Sequence, residues 1–146
     1  HVRFAGLRRD VPAALQAMDL YACSSVSEGL SNAVLEAMAA GLPIVATAVG
    51  GNSALLRDGV EGRLIAPGDA EGLAAALKIV GRSGELRRRF GAAARLRVER
   101  YDFRHTVASY EGFYRSLLGM EEASGEGAGP EGGAVFRPSR LRTIAD

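Results

Sequence analysis

The sequence predicts an α/β domain on a doubly wound parallel sheet, followed by C-terminal helices and a flexible tail. Three observations predict it. Short apolar runs alternate with longer helix-like segments. Gly and Pro punctuate the boundaries between them. Of the 146 residues, 47% are hydrophobic, enough to bury one core and too few for two domains. Ligands of such sheets bind beyond the C-terminal ends of the strands.

The elements follow in order. Residues 2–5, 20–23, 43–46 and 64–66 read as buried strands. Asp10 is placed to cap a first helix, with Pro12 in its first turn, where a missing N–H costs little, and Val11, Leu15 and Met18 on its apolar face. A second helix spans residues 31–40. It stops at Gly41-Leu42-Pro43, where Gly takes the left-handed conformation and Pro cannot continue the helix. A short helix follows Gly50-Gly51, a pair suited to close chain approach or helix entry, and another spans residues 69–80. Between residues 84 and 101, Leu86, Phe90, Ala93, Ala94, Val98 and Tyr101 recur at helical spacing, with Arg87, Arg88, Arg89, Arg95 and Arg100 elsewhere, suited first to a solvated face and otherwise to a membrane surface or anionic partner. A terminal helix over residues 103–118 offers Val107, Tyr110, Phe113, Tyr114 and Leu117 for packing. The stretch SGEGAGPEGG is too poor in bulky side chains to offset its ordering entropy, so residues 121–146 are expected to form a flexible tail.

Composition excludes several classes of function. The single cysteine, Cys23, cannot form an intramolecular disulfide, sits in an apolar run with no activating base nearby, and reads as a core residue in a reducing, cytoplasmic setting. His1 and His105 lack the neighbours that metal-ligand motifs require, so no metal site is expected. No apolar run approaches the roughly 20 residues that span a bilayer. The net charge of +1 divides into −2 over residues 1–80, +5 over 81–120 and −2 over 121–146. That basicity lies on one helical region and is no nucleic-acid-sized field. No Gly-x-Gly-x-x-Gly follows a strand, which excludes a dinucleotide-dependent dehydrogenase.

The stretch from Ser24 to Gly41 carries the chemistry. It joins a strand to an alanine-rich helix, placing Glu28 in the loop beyond the strand and Ser31 and Asn32 at the helix start. The unpaired N–H groups there favour a phosphate, although Ser31 and Asn32 also suit plain capping and Gly29 a plain turn. Glu36 is the only charged side chain between Ser31 and Gly41 and shares a helix face with Asn32. A carboxylate on so apolar a helix calls for water or partners, either vicinal sugar hydroxyls or an arginine elsewhere in the chain.

With seven residues between Glu28 and Glu36, the sequence resembles the family 4 retaining glycosyltransferases of GT-B architecture. The likeness spans residues 2–118 and includes Asp19, Ser25, Glu28-Gly29, Glu36-Ala37-Met38-Ala39, the run from Gly41 to Thr47, Val49-Gly50-Gly51, Asp58-Gly59, Gly62 and Pro67-Gly68-Asp69. The resemblance implies that residues 1–120 are the Rossmann-like, C-terminal nucleotide-sugar-binding domain of such an enzyme. It further implies transfer from a nucleoside-diphosphate-sugar donor to a glycan or lipid-linked acceptor, with retention and without a metal or other cofactor. Glu28 then contacts donor-sugar hydroxyls as the catalytic-site glutamate, Glu36 holds the ribose, and Gly29, Leu30, Ser31 and Asn32 face sugar or pyrophosphate oxygens.

The wording Glu28-Gly-Leu-Ser-Asn with Val49-Gly-Gly-Asn52 is similar to sugar transferases of exopolysaccharide and PEP-CTERM export systems. That implies a cytoplasmic protein, peripheral at the inner face of the membrane. An N-terminal partner domain and an upstream arginine and lysine pair are implied outside this chain, so the 146 residues by themselves are expected to be inactive or nearly so. The alternative is a non-catalytic module that binds a sugar nucleotide or a partner domain.

Overall fold

The computed structural model describes residues 2–119, so the expected tail at 121–146 lies outside the described residues, as does His1. The described residues fall into two compact units, one ending at Ser109 and the other beginning at Tyr110.

The first unit is a three-stranded parallel sheet in the order β1 (Tyr21–Cys23), β2 (Ile44–Thr47), β3 (Gly62–Ile65). Tyr21 pairs with Ile44 and Ile44 with Gly62, so the strands start in near register and their C-terminal ends fall at one edge. Every residue of β2 is buried, and its side chains alternate between two cores. Ile44 and Ala46 join Val34, Ala37, Met38 and Leu55 on one face. Val45 joins Ile65, Ala76, Val80 and Phe90 on the other. Helices therefore cover both faces, as the alternating pattern predicts.

The helices are α1 (Val11–Gln16), α2 (Asn32–Ala39), α3 (Gly50–Leu55), α4 (Ala70–Arg82) and α5 (Gly84–Val98), which ends in a 3-10 turn at Glu99–Tyr101 before α6 (Phe103–Leu117). α2 ends as its sequence predicts. Gly41 has φ 74°, its N–H donates to the Met38 carbonyl and the Leu42 N–H to that of Ala37, and Leu42 then enters the core. α5 crosses that end closely: a Cβ on Gly91 would stand 2.1 Å from the Gly41 carbonyl oxygen. Capping is explicit at α4, where Asp69 accepts from the Gly72 N–H at 2.8 Å, and at α5, where Ser83 accepts from Leu86 at 3.2 Å.

Three expectations are corrected. Residues 2–5 form no strand, and Val2 and Phe4 are 83% and 98% exposed. A short apolar run becomes a strand only where a ladder partner meets its N–H and C=O groups, and no neighbour on β1 does so. The third strand starts two residues earlier than expected, because Gly62 lies so close to β2 that a Cβ would meet the Ile44 oxygen at 1.7 Å. Asp10 holds the N-cap position of α1 but its carboxylate bonds Arg8 rather than the helix, and that bond, with the charge of Arg8, keeps it below the ordinary carboxylate range.

In the second unit the α6 side chains of Tyr110, Phe113, Tyr114 and Leu117 are exposed, with the rings of Tyr110 and Tyr114 stacked 6.5 Å apart.

Candidate functional site

The site is built where β1 and β2 end. The chain leaves β1 through Ser24 to Leu30 and enters α2 at Asn32, while β2 passes through Ala48 and Val49 into α3. Because the strands are parallel, these loops lie side by side. The Gly-Gly pair allows their contact. A Cβ on Gly50 would stand 1.8 Å from the Glu28 carbonyl oxygen, and one on Gly51 would stand 1.9 Å from that of Gly29. Gly50 also has φ 41°, and the Gly51 N–H donates to the Glu28 carbonyl at 3.4 Å. The pair thus serves the close approach that its residue type suggests.

Glu28 is half-buried, and its Oε1 accepts from the Ser25 hydroxyl at 2.6 Å. Ser25 is held in turn, its carbonyl accepting from Thr47 Oγ1 at 2.5 Å and its hydroxyl lying 3.4 Å from Cys23 Sγ. Asn52, wholly enclosed in α3, donates from Nδ2 to the Thr47 carbonyl at 3.1 Å and toward Cys23 Sγ at 3.8 Å. Its Oδ1 is the one buried side-chain polar atom without a partner among the described residues.

Ser31 stands at the N-cap of α2 but its hydroxyl makes no capping bond, unlike Asp69 and Ser83 at the later helices. The first turn of α2 therefore keeps its N–H groups for another acceptor, and the partial positive end of the helix faces the same way. Ser31 is only 4% exposed, whereas Gly29, Leu30 and Asn32 are open to solvent.

Glu36 is exposed, without a hydrogen bond or ion pair among the described residues; no arginine pairs with it. It borders two cavities. One of about 290 Å³ runs between α1 and α2, lined by Val11, Pro12, Leu15 and Ala39. Another of about 310 Å³ is walled by Gly6, Leu7, Arg8, Met18, Tyr21 and Ala33. Burial first, then proximity to Cys23, Glu28 and Glu36, holds the Tyr21 phenol above its ordinary value, so both glutamates are electrostatic neighbours of β1. Neither cavity includes Glu28, Gly29, Leu30, Ser31 or Asn32.

Other motif residues serve the frame. Asp58 accepts from the Leu64 N–H at 2.9 Å and from Arg63 at 2.8 Å, tying the turn to β3. Glu61 is fully buried, with Arg57 donating from its backbone at 2.7 Å and from its guanidinium at 2.5 Å. Burial alone would raise the Glu61 carboxyl, but the Arg57 bonds and the charges of Arg57 and Arg97 outweigh it and hold it low. Sequence reasoning missed Leu7, Arg8, Tyr21 and Arg97, and gave Asn52 only as part of the Val49-Gly-Gly-Asn52 resemblance. Arg97 donates to the carbonyls of Leu55 at 2.6 Å and Ala54 at 2.9 Å, closing the C-terminal end of α3.

Residues 1–82 match the model of a family described as "Glycosyl transferases group 1". Among curated proteins, the chain is 34% identical over 121 residues to the putative glycosyltransferase EpsD of Bacillus subtilis, covering 83% of this chain and 32% of EpsD. It is 41% identical over 88 residues to the lipopolysaccharide core biosynthesis glycosyltransferase LpsE of Rhizobium meliloti, covering 60% of this chain and 26% of LpsE. The chain thus spans about a third or less of the length of these relatives. Among solved structures, Anabaena Alr3699/HepE in complex with UDP-glucose superposes with a TM-score of 0.69 at 29% identity, over 81% of this chain and 32% of that one. The C-terminal domain of the group 1 glycosyl transferase LpcC from Francisella tularensis superposes with a TM-score of 0.60 at 26% identity, over 67% of this chain and 50% of that one.

Proposed function

Given that the chain belongs to the group 1 glycosyl transferases, we propose that it is the donor-binding part of a retaining enzyme that moves a sugar from a nucleoside diphosphate to a glycan or lipid-linked acceptor. One observation carries this reading. α2 begins without a side-chain cap, between a loop glutamate held by Ser25 and a helix glutamate left unpaired beside a cavity. A nucleotide sugar offers the complement of each part. Its diphosphate suits the open N–H groups and helix dipole, its ribose hydroxyls suit Glu36, and its sugar hydroxyls suit Glu28.

In this reading the nucleoside lies in the cavity walled by Leu7, Met18 and Tyr21, and the diphosphate lies over Asn32 and Ala33. Gly29 and Leu30 leave the backbone accessible from solvent, and Ser31 contributes through its main chain. Catalysis is orientation and charge stabilisation: Glu28 fixes the sugar, and the amides of α2 meet charge gathering on the departing phosphate. Neither glutamate acts as a covalent nucleophile. The acceptor contacts belong to an N-terminal partner domain and the rest of the phosphate contacts to an arginine and lysine pair upstream in the donor domain, and the assembled enzyme works at the cytoplasmic face of a membrane on polysaccharide precursors of the exopolysaccharide, PEP-CTERM-associated type.

The test is calorimetric titration of UDP-, GDP- and ADP-sugars into the chain and into Glu36→Ala. Base-selective binding that Glu36→Ala abolishes is the expected result. A Glu36→Ala variant with unchanged affinity refutes this donor site, and a folded chain that binds none of them rejects an autonomous sugar-nucleotide module. A non-catalytic sugar-nucleotide module would bind the same donors, and separates from the enzyme when the chain is joined to its N-terminal partner domain and turnover is measured.

A further inference from the structure

We propose that Ser25, Cys23 and Asn52 are positioning residues that fix the Glu28 carboxylate for the donor sugar, an inference that rests on the donor-site reading of Glu28. The hydrogen bonds beneath the loop have a single consistent direction. The Thr47 carbonyl can only accept, so the Asn52 amide nitrogen must face it, and that same nitrogen reaches Cys23 Sγ. Glu28 as a carboxylate can only accept, so the one hydroxyl proton of Ser25 is committed to Oε1. Ser25 can then only accept from Cys23, whose S–H supplies the proton of the 3.4 Å contact. Donation runs from Asn52 to Cys23 to Ser25 to Glu28.

Burial supports this assignment. Asn52 is fully enclosed and Cys23 is 8% exposed, so water does not compete for the inner part of the chain. The Asn52 amide also leaves Oδ1 unpaired inside the protein, so its Nδ2 bonds fix which way the amide faces. Thr47 completes the support by holding the Ser25 carbonyl. Glutamate is among the side chains that lose most rotamer freedom when fixed, so a carboxylate already held by Ser25 meets the sugar hydroxyls at lower entropic cost.

The test uses the 146-residue chain, with UDP and UDP-glucose as probes, and Ser25→Ala, Ser25→Thr and Cys23→Ala as variants. Ser25→Ala should weaken UDP-glucose binding about tenfold and leave UDP binding unchanged. Ser25→Thr, which keeps the hydroxyl, should restore UDP-glucose binding to within about twofold, and Cys23→Ala should fall between the two. Equal losses for both probes, or no loss in Ser25→Ala, overturn the proposal.

A second measurement needs no ligand. Three-bond couplings about the first side-chain torsion of Glu28 should report one rotamer in the parent chain and averaging in Ser25→Ala. A single rotamer that persists in Ser25→Ala overturns the positioning role even where donor binding is observed. Averaging in Ser25→Ala, with no binding of either probe to the parent chain, upholds the Ser25 contact and discards donor binding by this chain on its own.

Discussion

Gly50→Ala tests whether the contact between the two loops sets the place of Glu28. The added Cβ would lie 1.8 Å from the Glu28 carbonyl oxygen, where real Cβ atoms come no nearer than 3.0 Å, so one loop must retreat by at least about 1.2 Å. The obstacle is backbone, which cannot swing aside as a side chain can. Alanine must also adopt φ near 41°, at about 1–2 kcal/mol. Overpacking adds about 1–3 kcal/mol, so the expected destabilisation is about 2–5 kcal/mol. Urea denaturation should show a lower midpoint with the slope unchanged. A displacement of this size is enough to cost about 100-fold where orientation matters, so UDP-glucose affinity should fall further than UDP affinity. A Gly50→Ala chain within about 0.5 kcal/mol of the parent, with its Glu28 to Ser31 amide resonances unmoved, would refute the close-approach argument.

Two further predictions concern the frame. Glu61 is held below its ordinary value, so its stabilising contribution is present above the unfolded carboxyl range near 4.5 and is lost as pH falls through the lower folded value. Glu61→Gln should therefore cost about 1–3 kcal/mol at pH 7 and flatten that part of the acid limb in urea titrations below about pH 5. Arg97→Ala removes both bonds to the end of α3, and should lower stability by about 1–2 kcal/mol with faster hydrogen exchange concentrated in residues 50–55.

The fold was legible where local chemistry and tertiary packing agree. Gly41-Leu42-Pro43 marks the end of α2, Asp69 marks the start of α4, and the apolar run at β2 is buried at every residue. Residues 2–5 carry the same apolar signature as β1 and form no strand, because a strand depends on a partner that local sequence does not encode. The glutamates and their spacing were visible in the sequence, as were the strand end and helix start that carry them. The Asn52 to Glu28 connection was not, since Cys23 and Asn52 are 29 residues apart and meet only through the pairing of β1 with β2. Ser31 shows the complementary limit: its residue type suits a cap, yet its hydroxyl does not close on the helix.

On the donor-site reading, that open turn links the stability of the protein to the concentration of the sugar nucleotide. A closing hydroxyl would contribute about 1 kcal/mol to the folded state whether or not ligand is present. With no bond from the Ser31 hydroxyl to the helix, the same N–H groups would, on the donor-site reading, add stability when the diphosphate arrives, and the melting temperature would become a measure of occupancy. At a free ligand concentration 100 times its dissociation constant, the gain is about 2.7 kcal/mol. On that reading the lifetime of such a domain in a cell would follow the supply of the sugar nucleotide, with the chain most exposed to proteolysis when that supply runs out.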